Sequence, residues 1–164
     1  MEKGKVRLIQ GDDIPAITSI YNYYVQNTCI SFEEAPITQS EMADRVAHIS
    51  GSFPWVVYEE AGKVAGYAYA GPWKERAAYR FTGEVTVYVD RTSLHKGIGS
   101  ILYEYLLREI RKTEMHSLMA VIALPNEASV RIHEKFGFRK TAHFREVGYK
   151  FGTWIDVGYW QLIL

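Results

Sequence analysis

One cysteine, Cys29, occurs in the 164 residues. A lone thiol cannot close an internal disulfide, and no zinc-type ligand spacing or other metal-ligand set accompanies it. Such cysteine usage fits a reducing compartment. No apolar run approaches the roughly 20 residues needed to cross a bilayer. The start, Met1 to Val6, is polar and charged, which reads against a signal peptide. Cytoplasmic location without membrane contact is the expectation. Charge of one sign is also lacking: 19 basic residues balance 19 acidic ones. Nucleic-acid binders usually carry a basic excess, so nucleic acid is not the expected partner. There is no internal repeat, low-complexity tract or linker, and the length suits one domain over residues 1–164.

What is present is an ordinary globular composition, 48% hydrophobic and 23% charged. Twelve Tyr and four Trp exceed simple need. Most serve packing, and a share remains for a substrate pocket or a dimer interface. Val6–Ile9 reads as a strand. Asp12 or Asp13 can cap a helix with Pro15 in its first turn, and Ile14, Ile17, Tyr21, Tyr24 and Val25 recur at helical spacing. Thr38-Gln39-Ser40-Glu41 is a capping box, and the helix behind it ends near Gly51. Trp55–Glu59 and Val64–Ala70 flank a hairpin turn, and Glu84–Val89 is a third strand. A helix follows Gly97, with Ile98, Leu102, Tyr105, Leu106 and Ile110 on one face. Leu118–Leu124 is a strand. Asn126 caps a helix with Ile132 and Phe136 inward. Arg139–Lys150 and Asp156–Leu164 close the chain around a Phe151-Gly152-Thr153 turn. This order predicts an α+β (mixed α/β) fold: a mostly antiparallel twisted sheet with one parallel pair and helices on both faces.

Glu84 through Leu107 is the most informative stretch. A strand ends, a loop turns, and a helix begins at the pair Gly97 and Gly99. The first turn of a helix has unpaired N–H groups and the positive end of the macrodipole, and glycine lets a bulky anion reach the backbone. Lys96 adds positive charge. G-x-G-x-x-G is excluded because position 102 is Leu102, and no Walker A Gly-Lys-Ser/Thr is present. The glycine pair alone fits a plain tight turn equally well.

Val87-Tyr88-Val89, Lys96-Gly97-Ile98-Gly99 and the block from Asn126 to Phe138 together resemble the acetyl-CoA site of the GNAT acetyltransferase superfamily. The subfamily typified by phosphinothricin and methionine sulfoximine N-acetyltransferases is the nearer likeness. Its marks are Ile20-Tyr21-Asn22, Gly66-Tyr67-Ala68, Tyr79-Arg80, Glu84, and the run from Val147 to Val157. The resemblance covers nearly the whole chain in consistent order. It implies a GNAT-type acyl-CoA acyltransferase fold, acetyl-CoA as cosubstrate and a homodimer. One departure stands out. The family loop usually reads Gln/Arg-Gly-x-Gly-x-Gly, whereas Leu94 and His95 stand here in its first two places. A side-chain contact from position 94 is thereby lost, while backbone amides from Lys96 to Ser100 can still hold a pyrophosphate.

Acetyl transfer to an amine needs a neutral amine, a held and polarised carbonyl, and a proton for the leaving thiolate. Glu84 is the candidate base, acting through water or with a raised pKa, because an ordinary Glu near pH 4.3 is too weak for an ammonium. Its bland reading is a solvated strand end. His133 is the candidate to protonate the CoA thiolate or hold its sulfur, against the bland reading of a surface helix histidine. The resemblance places Val87, Tyr88, Val89, His95, Lys96, Gly97, Ile98, Gly99, Ser100, Asn126 and Ser129 against CoA. It places Phe32, Lys74, Tyr79, Arg80 and Glu84 on the substrate side, with residues from Lys150 to Asp156 as further wall. Arg76 reads as a solvated loop cation, and Trp154 suits core or interface as well as pocket. The expected acceptor is a small amino-acid-like amine of the phosphinothricin, methionine sulfoximine or methionine sulfone type. Two alternatives stay open: a peptide or protein N-terminal acetyltransferase, which the bulk of Phe32, Trp73 and Tyr79 opposes, and a non-catalytic acyl-CoA sensor, which needs no base.

Overall fold

The computed structural model describes residues 4–164; Met1, Glu2 and Lys3, the front of the polar start, lie outside the described residues. In chain order the elements are β1 (Lys5–Leu8), α1 (Ile14–Asn27), α2 (Gln39–Ser50), β2 (Trp55–Glu60), β3 (Lys63–Pro72), β4 (Thr82–Val89), α3 (Ile98–Ile110), β5 (Ser117–Leu124), α4 (Glu127–Lys135), β6 (Arg139–Lys150) and β7 (Thr153–Ile163). The strands hydrogen-bond in the order β1-β2-β3-β4-β5-β7-β6. β4 and β5 run parallel, joined through α3, as a parallel pair requires a crossover. The β1–β2, β2–β3, β5–β7 and β6–β7 pairs are antiparallel. The architecture is the expected α+β fold with a mixed sheet.

The chain divides into two compact units. The first comprises the described residues up to Asn22, with Ile37–Gly71 and Val85–Glu114; the second comprises Tyr23–Pro36, Pro72–Glu84 and Met115–Leu164. In the first, β2 and β3 join through Ala61 and Gly62, both at positive φ (49° and 74°). Two such residues make the hairpin turn whose twist matches the flanking strands. A side chain at Gly66 would lie 3.0 Å from the Tyr88 carbonyl and 3.2 Å from Leu102, so its absence lets α3 close on β3. Ile49 of α2 faces Gly71. Strand parity puts positions 66 and 71 on opposite faces, so α3 and α2 cover opposite sides of β3. Buried Ile17, Val56, Val57, Leu102, Leu106 and Ile110 form the core of this unit.

Local signals account for most element ends. The Thr38 hydroxyl accepts from the Glu41 amide at 3.1 Å, and the Glu41 carboxylate accepts from the Thr38 amide at 2.6 Å. Asp13 takes part in a capping box at the short 3-10 turn ahead of α1, and it also meets Arg7. It takes two hydrogen bonds from the Arg7 guanidinium, at 2.7 and 2.9 Å, and one from the Gln10 amide. In α3 the buried tyrosine is Tyr103, whereas Tyr105 is half-buried beneath the Arg108 guanidinium.

The second unit is built on β5, β7 and β6, with the start of β4 alongside β5. The β6–β7 hairpin turns at Phe151 and Gly152, both at positive φ, and β7 begins at Thr153 rather than at Asp156. In α4 the inward residue is His133; Ile132 and Phe136 are only half-buried. Phe138, just past the helix, supplies the packing that turns this face inward, its ring edge-on to His133 at 5.2 Å.

Candidate active site

The first unit carries the outer half of β4 and the glycine turn. Val87, Tyr88 and Val89 are half-buried. Parity sends the Tyr88 side chain away from Val87 and Val89, against Tyr21 at 5.3 Å and Tyr67 at 5.6 Å. β4 ends where the Asp90 amide donates to the Ala65 carbonyl at 2.9 Å. The Asp90 carboxylate then accepts from the Thr92 amide at 2.8 Å and starts a short 3-10 turn over Arg91–Ser93. His95 and Gly97 both take left-handed φ, 64° and 77°. Gly97 is the N-cap of α3 and offers no side chain to cap it, and nothing lies within 4 Å of where its Cβ would be. The helix start is therefore open, with the amides of Ile98 and Gly99 in its first turn. Lys96 stands beside it, its ammonium 3.9 Å from the Glu60 carboxylate. At that distance and exposure the ion pair is weak and leaves the charge available.

The second unit carries Glu84 and all the other residues expected on the substrate side: Phe32, Lys74, Tyr79 and Arg80. Glu84 is half-buried and is the last residue of the parallel ladder, paired with Met119. Burial pushes its carboxyl above the ordinary value of 4.5, and the Lys74 ammonium pulls against that shift. Lys74 lies over the Trp73 ring at 5.2 Å, and Tyr79 meets the same ring edge-on at 5.3 Å. Arg80 is exposed, donates to the Ala77 carbonyl at 3.1 Å and stacks on Phe81. Arg76 is exposed, as expected.

His133 contradicts its surface reading, being 4% exposed. Its Nδ1 sits 2.7 Å from the Ser129 carbonyl oxygen. Burial pulls its pKa below 6.5, with the Ser129 carbonyl pulling the other way. Asn126 caps α4, accepting from the Ser129 amide at 3.1 Å. Ser129 thus serves the cap and the imidazole together.

A cavity of about 670 Å³ opens in the second unit, at the start of α4. Leu124, Pro125, Asn126, Val130, Arg131 and Trp154 are among its walls, with Glu127 and Asp156. Of the expected residues it holds Asn126 from the cosubstrate side, and Trp154 and Asp156 from the C-terminal run expected as further wall. The sequence assigns Arg131 no role; the β5–β7 register, Leu124 opposite Asp156, is what sets Asp156 beside the start of α4. Among the described residues no group of three or more His, Cys, Asp or Glu could hold a metal ion. No helix among them is long and apolar enough to cross a membrane.

Residues 6–158 match the family described as the acetyltransferase (GNAT) domain. The chain is 42% identical over 157 residues to a phosphinothricin N-acetyltransferase of Streptomyces viridochromogenes, covering 96% of this chain and 86% of that one. It is 37% identical over 160 residues to the L-methionine sulfoximine/L-methionine sulfone acetyltransferase of Salmonella typhimurium, covering 97% and 94%. A solved GNAT phosphinothricin acetyltransferase from Sinorhizobium meliloti, in complex with acetyl-CoA, superposes with a TM-score of 0.95 at 33% identity, covering 99% and 89%. The chain belongs to the GNAT acetyltransferase family.

Proposed function

We propose that this protein, as one functional domain over residues 1–164, moves the acetyl group of acetyl-CoA to the amine of a small amino-acid-like compound. Phosphinothricin, methionine sulfoximine and methionine sulfone are the named candidates, after the relatives' substrates. The observation that carries the proposal is the α3 start. A GNAT chain presents there an open helix N-terminus, two left-handed residues and a lysine. That arrangement suits a pyrophosphate held by backbone amides. In this reading the turn from His95 to Ser100 holds the pyrophosphate. The backbone of Val87, Tyr88 and Val89 serves the pantetheine arm, together with Asn126 and Ser129.

The amine nitrogen attacks the thioester carbonyl, the carbon–sulfur bond breaks, and the amine's surplus proton leaves for Glu84, directly or through water. A raised Glu84 pKa is what a base for an amine needs. Lys74 and Arg80 suit the acceptor's carboxylate, and Phe32 and Tyr79 its apolar stem. His133 supplies the proton to the departing thiolate. A neutral ring whose Nδ1–H is engaged by a carbonyl has its lone pair on Nε2, so that nitrogen takes a proton from solvent water and passes it to the thiolate, while Glu84 returns the amine's proton to solvent. The protein works as a homodimer: Phe144, Val147, Tyr149, Phe151 and Trp154 leave an exposed apolar rim on the β6–β7 hairpin that a second copy would cover. Free Cys29 suits the cytoplasm.

Calorimetric titration with acetyl-CoA, followed by CoA release with the three named amines and a peptide panel, tests the reading. Saturable binding with turnover on the small amines is the expected result. Binding without turnover on any amine would favour a sensor, and turnover on peptides alone a protein acetyltransferase.

A further inference from the structure

We propose that Lys150 is a positioning residue for the acceptor side of the site, acting through the loop that carries Phe32. The proposal rests on the acetyltransferase reading above. Lys150 ends β6 with a side chain only 1% exposed, although it carries an ammonium. Its Nζ donates to the Val25 carbonyl at 2.7 Å and to the Ser31 carbonyl at 2.6 Å. The Phe151 ring faces the same cation at 4.9 Å. Val25 lies in the last turn of α1, where carbonyls have no partner within the helix and the dipole's negative end gathers. Ser31 lies in the loop beyond. One ammonium therefore ties the end of a helix to the loop leaving it, and fixes the path of the residues between.

Two residues back on the same face of β6 is Gly148. A side chain there would overlap the Phe32 ring. Gly148 is thus the bed on which Phe32 rests, and Lys150 the clasp that holds the residue before Phe32. Filling space would not require a charge. An apolar side chain of similar length would occupy the same volume without the cost of burying an ammonium. What the ammonium adds is direction: it orients the Ser31 carbonyl, and with it the next peptide and the Phe32 side chain. Phe32 is packed on one side and 44% exposed on the other, as a wall facing a ligand would be.

Lys150→Met keeps the length and removes the donors. The expected result is a KM for methionine sulfone or phosphinothricin raised about tenfold, kcat nearly unchanged, and acetyl-CoA affinity by calorimetry unaltered. Phe32→Ala should give the same split. The double variant should be no worse than Phe32→Ala alone, because both act through one wall. Should Lys150→Met fail to fold, Gly148→Ala displaces Phe32 without touching the ammonium and should show the same KM rise. Additive effects, a fall in kcat at constant KM, or weakened acetyl-CoA binding would each overturn the assignment while leaving the enzymatic reading intact. A wild-type protein that neither binds acetyl-CoA nor acetylates any amine overturns the reading and this assignment with it.

Discussion

The Nδ1 of His133 stands 2.7 Å from the carbonyl oxygen of Ser129, one helical turn earlier in α4. A carbonyl only accepts, so Nδ1 carries the proton, and in the neutral ring Nε2 holds the lone pair. Asn has a donor that can stand in for Nδ1–H but nothing that titrates. His133→Asn is expected to lower turnover roughly 10²-fold, the scale of proton-transfer catalysis, and to leave acetyl-CoA binding unchanged. The pH dependence of stability follows from the same burial. Because the folded pKa lies below the unfolded one, the neutral ring's contribution is complete above about 6.5 and is lost as pH falls through the lower folded value. Melting curves from about pH 7.5 to about pH 5 should show the wild-type Tm dropping more steeply than that of His133→Asn. Parallel slopes would mean that His133 is not the titrating group.

Glu84 has the opposite sign. Burial raises its carboxyl, so its contribution to stability is complete below 4.5 and is lost as pH rises through the folded value. At neutral pH the ionised group costs stability. Glu84→Gln should therefore raise Tm at about pH 8 while lowering turnover by roughly 10²-fold or more. The paired readout matters: a merely structural carboxylate would lose stability on replacement. Near-full activity in the variant removes Glu84 from the mechanism.

The parts of this protein that were legible in its sequence are those set by neighbours along the chain. The capping box at Thr38 and Glu41, the Asn126 cap and the glycine turn into α3 each depend on residues within four positions. The misread parts depend on which specific partner meets a side chain once the chain has folded. In α4 the periodicity puts Ile132 and Phe136 inward, whereas His133 is the residue buried, against Phe138 and the Ser129 carbonyl. Lys150 is expected in a pocket wall, yet the α1 terminus and the following loop bury its ammonium on two carbonyls. Asp13 reads as a cap and does accept from the Gln10 amide, but Arg7 buries it with two further hydrogen bonds. Each is a polar residue buried because a specific partner meets it, and hydrophobic periodicity carries no record of such partners.

Tyr149 and Trp154 face each other across the β6–β7 turn with ring centroids 4.8 Å apart, and Trp154 is 61% exposed. Buried aromatic anchors typically contribute about 2 kcal/mol or more each to an interface. Trp154→Glu should convert a dimer into a monomer in sedimentation velocity at micromolar protein. A wild-type protein sedimenting as a monomer would leave the apolar rim of the hairpin without its proposed cover.

His95 takes φ 64° immediately before the α3 start, in a place where the family loop usually has glycine. A non-glycine residue in the left-handed region pays roughly 1–2 kcal/mol in crowding of its Cβ. Glycine relieves that crowding but costs about 0.5–1 kcal/mol of chain entropy on folding. The difference favours His95→Gly by up to about 1.5 kcal/mol. If the imidazole contributes nothing to the cosubstrate, the variant should unfold at a higher denaturant midpoint with its urea slope unchanged, and bind acetyl-CoA at least as tightly as the wild type. If the imidazole does meet a phosphate, stability should still rise while acetyl-CoA affinity falls. Unfolding and calorimetry on the one variant therefore separate the backbone's contribution at position 95 from the side chain's. A lower denaturant midpoint would show that the left-handed turn is not where His95 is strained.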